Sequence, residues 1–224
     1  MNLLQKIYQT LLNMHGSQGW WPIAGNYSGK TILSESDLFE ICVGAILTQN
    51  TSWNNVEKAL EQLRNSHLLT LKKIACLPEE KLQSLIKSSG YFRQKAKKLR
   101  LFAQHVIAQH GSCKHLLSQP LLVLRSELLS LWGIGPETAD SIILYASQKP
   151  VFVIDAYTKR ICTGLGLCKP NISYDELQHF FMTRLFHDTQ LFKEYHSLIV
   201  QHAKVCCKKN MPEKCVLRNI EDFD

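Results

Sequence analysis

One stretch of this chain, PVFVI at 150–154, has the apolar, β-branched character of a strand, and a lone strand has no partner with which to make a sheet. Elsewhere the apolar residues recur at helical spacing. Leu3, Leu4, Ile7, Leu11 and Leu12 set the pattern near the start. WNNVEKALEQLRN, FRQKAKKLRLFAQHVIAQH, LLVLRSELLSLW and LFKEYHSLIVQHAKV repeat it, and proline or glycine falls at nearly every junction. SESDLFEICVGAILTQN opens on capping residues and then turns apolar on all sides, as a buried helix does. Ser173 and Glu176 form a second capping pair before another helical run. These signals predict an all-α fold of about ten short helices.

With 224 residues, 45% of them hydrophobic, the chain is long enough to bury a core in one domain or two packed lobes. Lys and Arg number 26 against 19 acids, a net charge of +7 that favours an anionic partner, nucleic acid being the commonest. No apolar run nears the roughly 18 residues of a membrane span, so no membrane partner is expected. The N-terminal run is amphipathic and lacks a small-residue cleavage site, unlike a secretory signal. The eight cysteines are scattered through helix-like stretches, which suits a reducing, cytoplasmic compartment.

The most informative segment is LWGIGPETADSIILYASQKPVFVID, from Leu131 to Asp155. Gly133 and Gly135 separate two helical patterns, and Pro136 suits a first helical position. Glycines let such a turn expose its amides, and amides at a helix N-terminus attract anions. The arrangement reads as a helix-hairpin-helix that grips a DNA phosphate without reading sequence; a plain glycine-capped turn is the alternative. Asp155 begins DAYTKRI and reads first as an N-cap, where the helix dipole favours an ionised carboxylate.

Together, LWGIGPETADSIILYA and VFVIDAYTKRI resemble the helix-hairpin-helix DNA glycosylases related to endonuclease III. The resemblance covers most of the chain. It implies a helical barrel over residues 30–149, with residues 1–29 and 150–224 forming a second helical lobe and the base pocket in the cleft between them. It makes Asp155 the catalytic carboxylate, which stabilises charge on the sugar and helps water attack C1′. GAILTQNTSWNNV matches the family segment whose glutamine enters the duplex, here Gln49, and SSGYFRQKAKKL matches a second DNA-contacting turn, here Gly90 and Tyr91. Gly133 and Gly135 join these as DNA contacts, and Lys95, Lys97, Lys98 and Arg100 supply candidates for phosphate, Lys95 foremost. Bifunctional relatives carry a lysine two residues after the second hairpin glycine, where this chain has Glu137, so base removal without strand cleavage is expected.

Trp20, Trp21, Pro22 and Trp53 resemble the aromatic set of 3-methyladenine DNA glycosylase III, a subgroup that sandwiches the flipped base between rings. With Glu137 they make a pocket suited to cationic alkylated purines; Trp132 is expected in the core. The resemblance implies damaged double-stranded DNA as partner, a monomer associated with the nucleoid, and room for a monovalent cation at the hairpin. The family's iron–sulfur motif, C-x6-C-x2-C-x5-C, is broken. Cys207 and Cys215 are separated by seven residues rather than six, and Arg218 and Asp224 stand at the third and fourth positions. No cluster and no other metal is expected, although Cys206, Cys207 and Cys215 with His202 leave zinc open at an unusual spacing. Glycosylases for mismatched adenine, thymine or uracil, and a non-catalytic hairpin module, remain alternatives.

Overall fold

The computed structural model describes residues 1–29, 31–208 and 211–220. Its helices in chain order are α1 (Leu3–His15), α2 (Glu35–Leu47), α3 (Trp53–Asn65), α4 (Leu71–Cys76), α5 (Glu79–Leu85), α6 (Phe92–His110), α7 (Cys113–Ser118), α8 (Leu121–Ser130), α9 (Pro136–Ser141), α10 (Ala156–Gly164), α11 (Tyr174–Arg184) and α12 (Thr189–Val205). Among the described residues there is no strand, only an isolated bridge between Ile23 and Asn26. The all-α expectation therefore holds.

The chain forms two compact units, Trp21–Lys149 and the combination of Met1–Trp20 with Pro150–Asp224. The sequence reading starts the first of these at Lys30, which lies outside the described residues. The stretch 21–29 belongs with α2 and α3 because its polar and aromatic groups are satisfied there. Trp21 covers Gly44, where an added Cβ would come within 2.8 Å of the indole. The Ala24 amide donates to Glu40 at 2.8 Å, and the Tyr27 hydroxyl donates to Glu57 at 2.9 Å.

Within the Trp21–Lys149 unit α2 is the hub. It is buried from Asp37 to Leu47, as its uniformly apolar sequence requires. Helices α3, α6, α7 and α9 pack against it. Beyond α9 the chain widens into a π turn over Ile142–Ala146, whose five side chains are all buried.

In the other unit α1 and α10 pack on α12. The segment 150–154 is extended but unpaired with any strand. Side chains of α11 take over its hydrogen bonding: Gln178 donates to the Phe152 carbonyl at 2.7 Å, and the Ile154 amide donates to the Tyr174 hydroxyl at 3.4 Å. Phe152 stacks on Phe181 at 4.1 Å and meets Phe192 and Tyr195 edge-on, so the strand-like run is a core-filling connector. It ends at Asp155.

Candidate functional site

The hairpin joins α8 to α9. Arg125 on α8 grips Asp140 on α9 through two bonds of 2.8 and 3.2 Å, and Asp140 is fully buried. This bidentate pair fixes the two legs. Gly133 has φ +80°, and a Cβ there would fall 2.4 Å from Lys98 Cε, so the position excludes side chains twice over. Glu137 is exposed in the first turn of α9.

Gln49 follows α2 and is tied to this hairpin. Its Nε2 donates to the Gly133 carbonyl at 3.0 Å and to Thr138 Oγ1 at 2.9 Å. Its Oε1 accepts from Lys98 Nζ at 2.5 Å. The structure thus brings Gln49, Lys98 and the hairpin glycine into one network. Next to Gln49, Asn50 is exposed with φ +53°, and Tyr91 is exposed with φ +45° at the start of α6, after Gly90. Left-handed backbone is readily adopted by asparagine but costly for tyrosine, and it marks two protruding turns. Asn50 and the exposed Arg93 carry no distinctive sequence signal, because only the turn geometry presents them.

Two sequence readings are corrected here. Lys95 is only 2% exposed and cannot reach a phosphate. Its Nζ donates to the Leu47 carbonyl at 2.8 Å, closing the C-terminus of α2, and to the Ser89 carbonyl at 2.6 Å. Burial, with the nearby Lys98 charge, lowers its pKa to about 8 from 10.5. Between those values the unfolded chain binds the proton better than the folded one, so this group's contribution to stability rises with pH across that window. Lys95→Met is expected to cost about 1–3 kcal/mol of stability by stranding two buried carbonyls. Its salt dependence of DNA binding, measured by titration at several ionic strengths, should match wild type. Trp132, expected in the core, is 50% exposed on the hairpin, with Lys97 Nζ 4.6 Å from its ring centroid. Arg100 leans 3.4 Å from Glu79.

Trp21 and Trp53 are 9% and 8% exposed, and Pro22 is buried beside them in sequence. The indoles meet edge to face, with centroids 5.0 Å apart and planes at 88°. A base sandwiched between two rings needs about 7 Å between their faces. These two tryptophans therefore do not form a sandwich with each other, and Tyr145 takes a further edge of Trp21 at 5.1 Å. Trp20 is half-buried in the other unit.

Asp155 is the N-cap of α10. Its Oδ1 accepts from the Thr158 amide at 2.7 Å and from Thr158 Oγ1 at 2.9 Å. Its Oδ2 lies 3.6 Å from His196 Nε2 on α12. Burial pushes the carboxyl pKa up, but His196 and the two Thr158 bonds outweigh it, and the net shift is downward from 3.8. The Lys204 ammonium also feels this carboxylate. Asp155 is thus held ionised, poised to stabilise positive charge. His196 escapes sequence reasoning because it sits mid-helix, 41 residues from its partner, with no local motif.

At the C-terminal end, His202 on α12 meets Cys207 and Cys215, with all three donor atoms within 4.8 Å of one another. Arg218, at the family's third cluster position, offers no thiolate, and Asp224 lies outside the described residues. This donor set does not match four thiolates around an iron–sulfur cubane.

The glycine hairpin of one unit and the capped aspartate of the other are the two features expected of a DNA glycosylase of the base excision repair type. A family model described as "HhH-GPD superfamily base excision DNA repair protein" matches residues 43–185, a span holding Gln49, the hairpin and Asp155. The chain belongs to this family. It is 41% identical over 219 residues, 96% of this chain and 94% of the relative, to "Putative DNA repair glycosylase MJ1434" of Methanocaldococcus jannaschii. It is 29% identical over 191 residues to endonuclease III of Thermotoga maritima, covering 84% of each. Among solved structures it is similar to the H. pylori 3-methyladenine DNA glycosylase (MagIII) bound to 1,N6-ethenoadenine. The TM-score is 0.76 at 30% identity, over 91% of this chain and 98% of that one. A non-covalent endonuclease III–DNA complex shares the fold at TM-score 0.74 and 20% identity, over 97% of this chain and 94% of that one.

Proposed function

We propose that this protein is a monofunctional glycosylase that hydrolyses the N-glycosidic bond of alkylated purines such as 3-methyladenine in duplex DNA. The observation that carries the reaction type is Glu137, exposed in the first turn of α9 where a lyase would need an amine. A carboxylate cannot form a Schiff base, so water is the nucleophile.

In this reading Asp155 stabilises the oxocarbenium-like sugar as the bond to the base breaks, and water adds at C1′. The bonding pair leaves with the base. A cationic 3-methylated adenine departs neutral and needs no general acid, which agrees with the absence of an acid from the proposed machinery. His196 acts as a positioning residue, holding Oδ2 of Asp155 while Thr158 holds Oδ1. The substrate class is supported by the 30% identity to the H. pylori 3-methyladenine enzyme. In this reading a face of Trp53 and the carboxylate of Glu137 would favour a cationic ring. Gln49, Tyr91, Gly133 and Gly135 are assigned to DNA. The proposal includes the absence of an iron–sulfur cluster.

The test is base release from DNA methylated by a simple alkylating agent, with the freed bases separated by chromatography and a parallel borohydride reaction. Free 3-methyladenine, strand breakage only after alkali, and no covalent adduct are expected. Efficient trapping would mean that another lysine performs lyase chemistry, and release of uracil or mismatched bases alone would shift the substrate class.

A further inference from the structure

We propose that His202, Cys207 and Cys215 form a mononuclear zinc site that closes the C-terminal tail onto α12, with a small exogenous ligand such as water completing the tetrahedron. The site stands apart from the excision chemistry and does not depend on the substrate assigned above.

The sequence places Cys206 and Cys207 directly after α12 and Cys215 beyond a short loop. Spacing alone makes this a poor match to common zinc motifs. The fold supplies what the spacing lacks. The chain turns back so that Cys215 Sγ lies 3.3 Å from His202 Nε2. His202 and Cys207 are fully buried and Cys215 is 4% exposed. His202 and Cys207 stand close in sequence at the end of α12, and the fold brings Cys215 to them.

The size of the group points to one ion. Zn–S bonds of about 2.3 Å and Zn–N bonds of about 2.0–2.1 Å, in tetrahedral geometry, put the donors roughly 3.5–3.8 Å apart. The three donor atoms here all lie within 4.8 Å of one another, so a small contraction completes the site. A four-iron cubane would spread its thiolates further and would require a cysteine where Arg218 stands. Cys206 instead groups with His15 and the same imidazole, whose Nδ1 faces His15, and stands outside the donor set of Cys207 and Cys215.

The surroundings of His202 fit a ligand. With Nε2 turned to the thiols, its Nδ1 faces His15 Nε2 on α1 at 3.0 Å. A metal-bound imidazole commonly gives its other N–H to such a partner, which fixes tautomer and ring orientation. The Arg160 guanidinium donates to the Lys208 carbonyl at 2.7 Å and anchors the start of the loop. Soft thiolates with one imidazole select zinc over magnesium or calcium. Loading releases one proton per coordinating thiol, so binding tightens as pH rises. The cluster of His105, His110 and Glu127 in the other unit is a useful contrast. There both imidazoles already bond one carboxylate oxygen at 2.6 Å, and no thiolate is present.

The experiment uses the full chain, purified without an affinity metal or chelator and analysed for zinc, iron and acid-labile sulfide. About one zinc per chain is expected, with neither iron nor sulfide. Replacement by Co²⁺ should give intense thiolate-to-metal absorption and tetrahedral visible bands. Cys207→Ser and Cys215→Ser should each lose zinc retention, and His15→Ala should weaken it about 10–100-fold while keeping stoichiometry at saturation. Cys76→Ser, an exposed cysteine elsewhere, should change nothing. If these cysteine variants do not fold, the wild-type Co²⁺ spectrum and the His15→Ala titration still decide. Metal-free protein with no cobalt spectrum, a Cys207–Cys215 disulfide in freshly prepared protein, or stoichiometric iron and sulfide would each overturn the site. Excision activity is not a readout, so failure here leaves the glycosylase proposal standing.

Discussion

Asp155→Asn is expected to bind duplex DNA as wild type does and to lose base excision by about 10²-fold or more. The substitution is a clean one for structural reasons. Asparagine is as good an N-cap as aspartate, and its carbonyl can still accept from the Thr158 amide, so α10 keeps its start. What disappears is the negative charge facing His196. The cost therefore falls on the charged transition state rather than on the fold, and the melting temperature should move little. The pH profile adds a second check. Because the folded carboxyl titrates below its ordinary 3.8, Asp155 stays ionised across the neutral and mildly acidic range. Its stabilising contribution is present above the unfolded value and is lost as pH falls through the folded one. Excision should show no loss attributable to this group between pH 8 and about 5. Near wild-type excision by Asp155→Asn would sink the assignment; loss of both binding and melting temperature would mark Asp155 as a structural cap.

The parts of this molecule that local chemistry dictates are readable in its sequence. Gly133 with its left-handed backbone, Pro136 at the first position of α9 and the capping aspartate each answer a need of backbone geometry within a few residues, and the structure puts them where that need arises, whereas Gly135 is ordinary extended backbone. The parts that depend on distant partners are not. Lys95 looks like the rest of its basic run, and only the fold reveals that the carbonyls of Leu47 and Ser89 wait for its ammonium. Trp132 has the composition of a core residue, but the turn that begins at Gly133 leaves it outside beside Lys97. PVFVI has strand composition without a neighbouring edge, and Gln178 and Tyr174 satisfy it from a helix. His196 and the His202–Cys215 contact likewise join residues whose helical or loop patterns say nothing about each other.

Trp21→Ala and Trp53→Ala should show the second large effect, first on stability. Each indole is nearly buried, they touch one another, and Trp21 also roofs Gly44 and meets Tyr145. Removing either leaves a cavity whose cost is about 3–5 kcal/mol, a large share of the total stability of a domain. A bare fall in excision would therefore say nothing about base recognition. The ratio of excision rates for two lesions removes this ambiguity, because both substrates meet the same folded fraction. A cationic purine gains about 0.5–2 kcal/mol over a neutral one from an aromatic face, roughly a 2- to 30-fold preference. If Trp53 presents its face to the base, Trp53→Ala should erase that preference between 3-methyladenine and neutral hypoxanthine, measured in single turnover at a temperature where the variant is folded. Trp53→Phe keeps a π-face and should retain most of the preference at a smaller cost in stability. An unchanged ratio in Trp53→Ala, alongside a lowered melting temperature, would confine this tryptophan to the core.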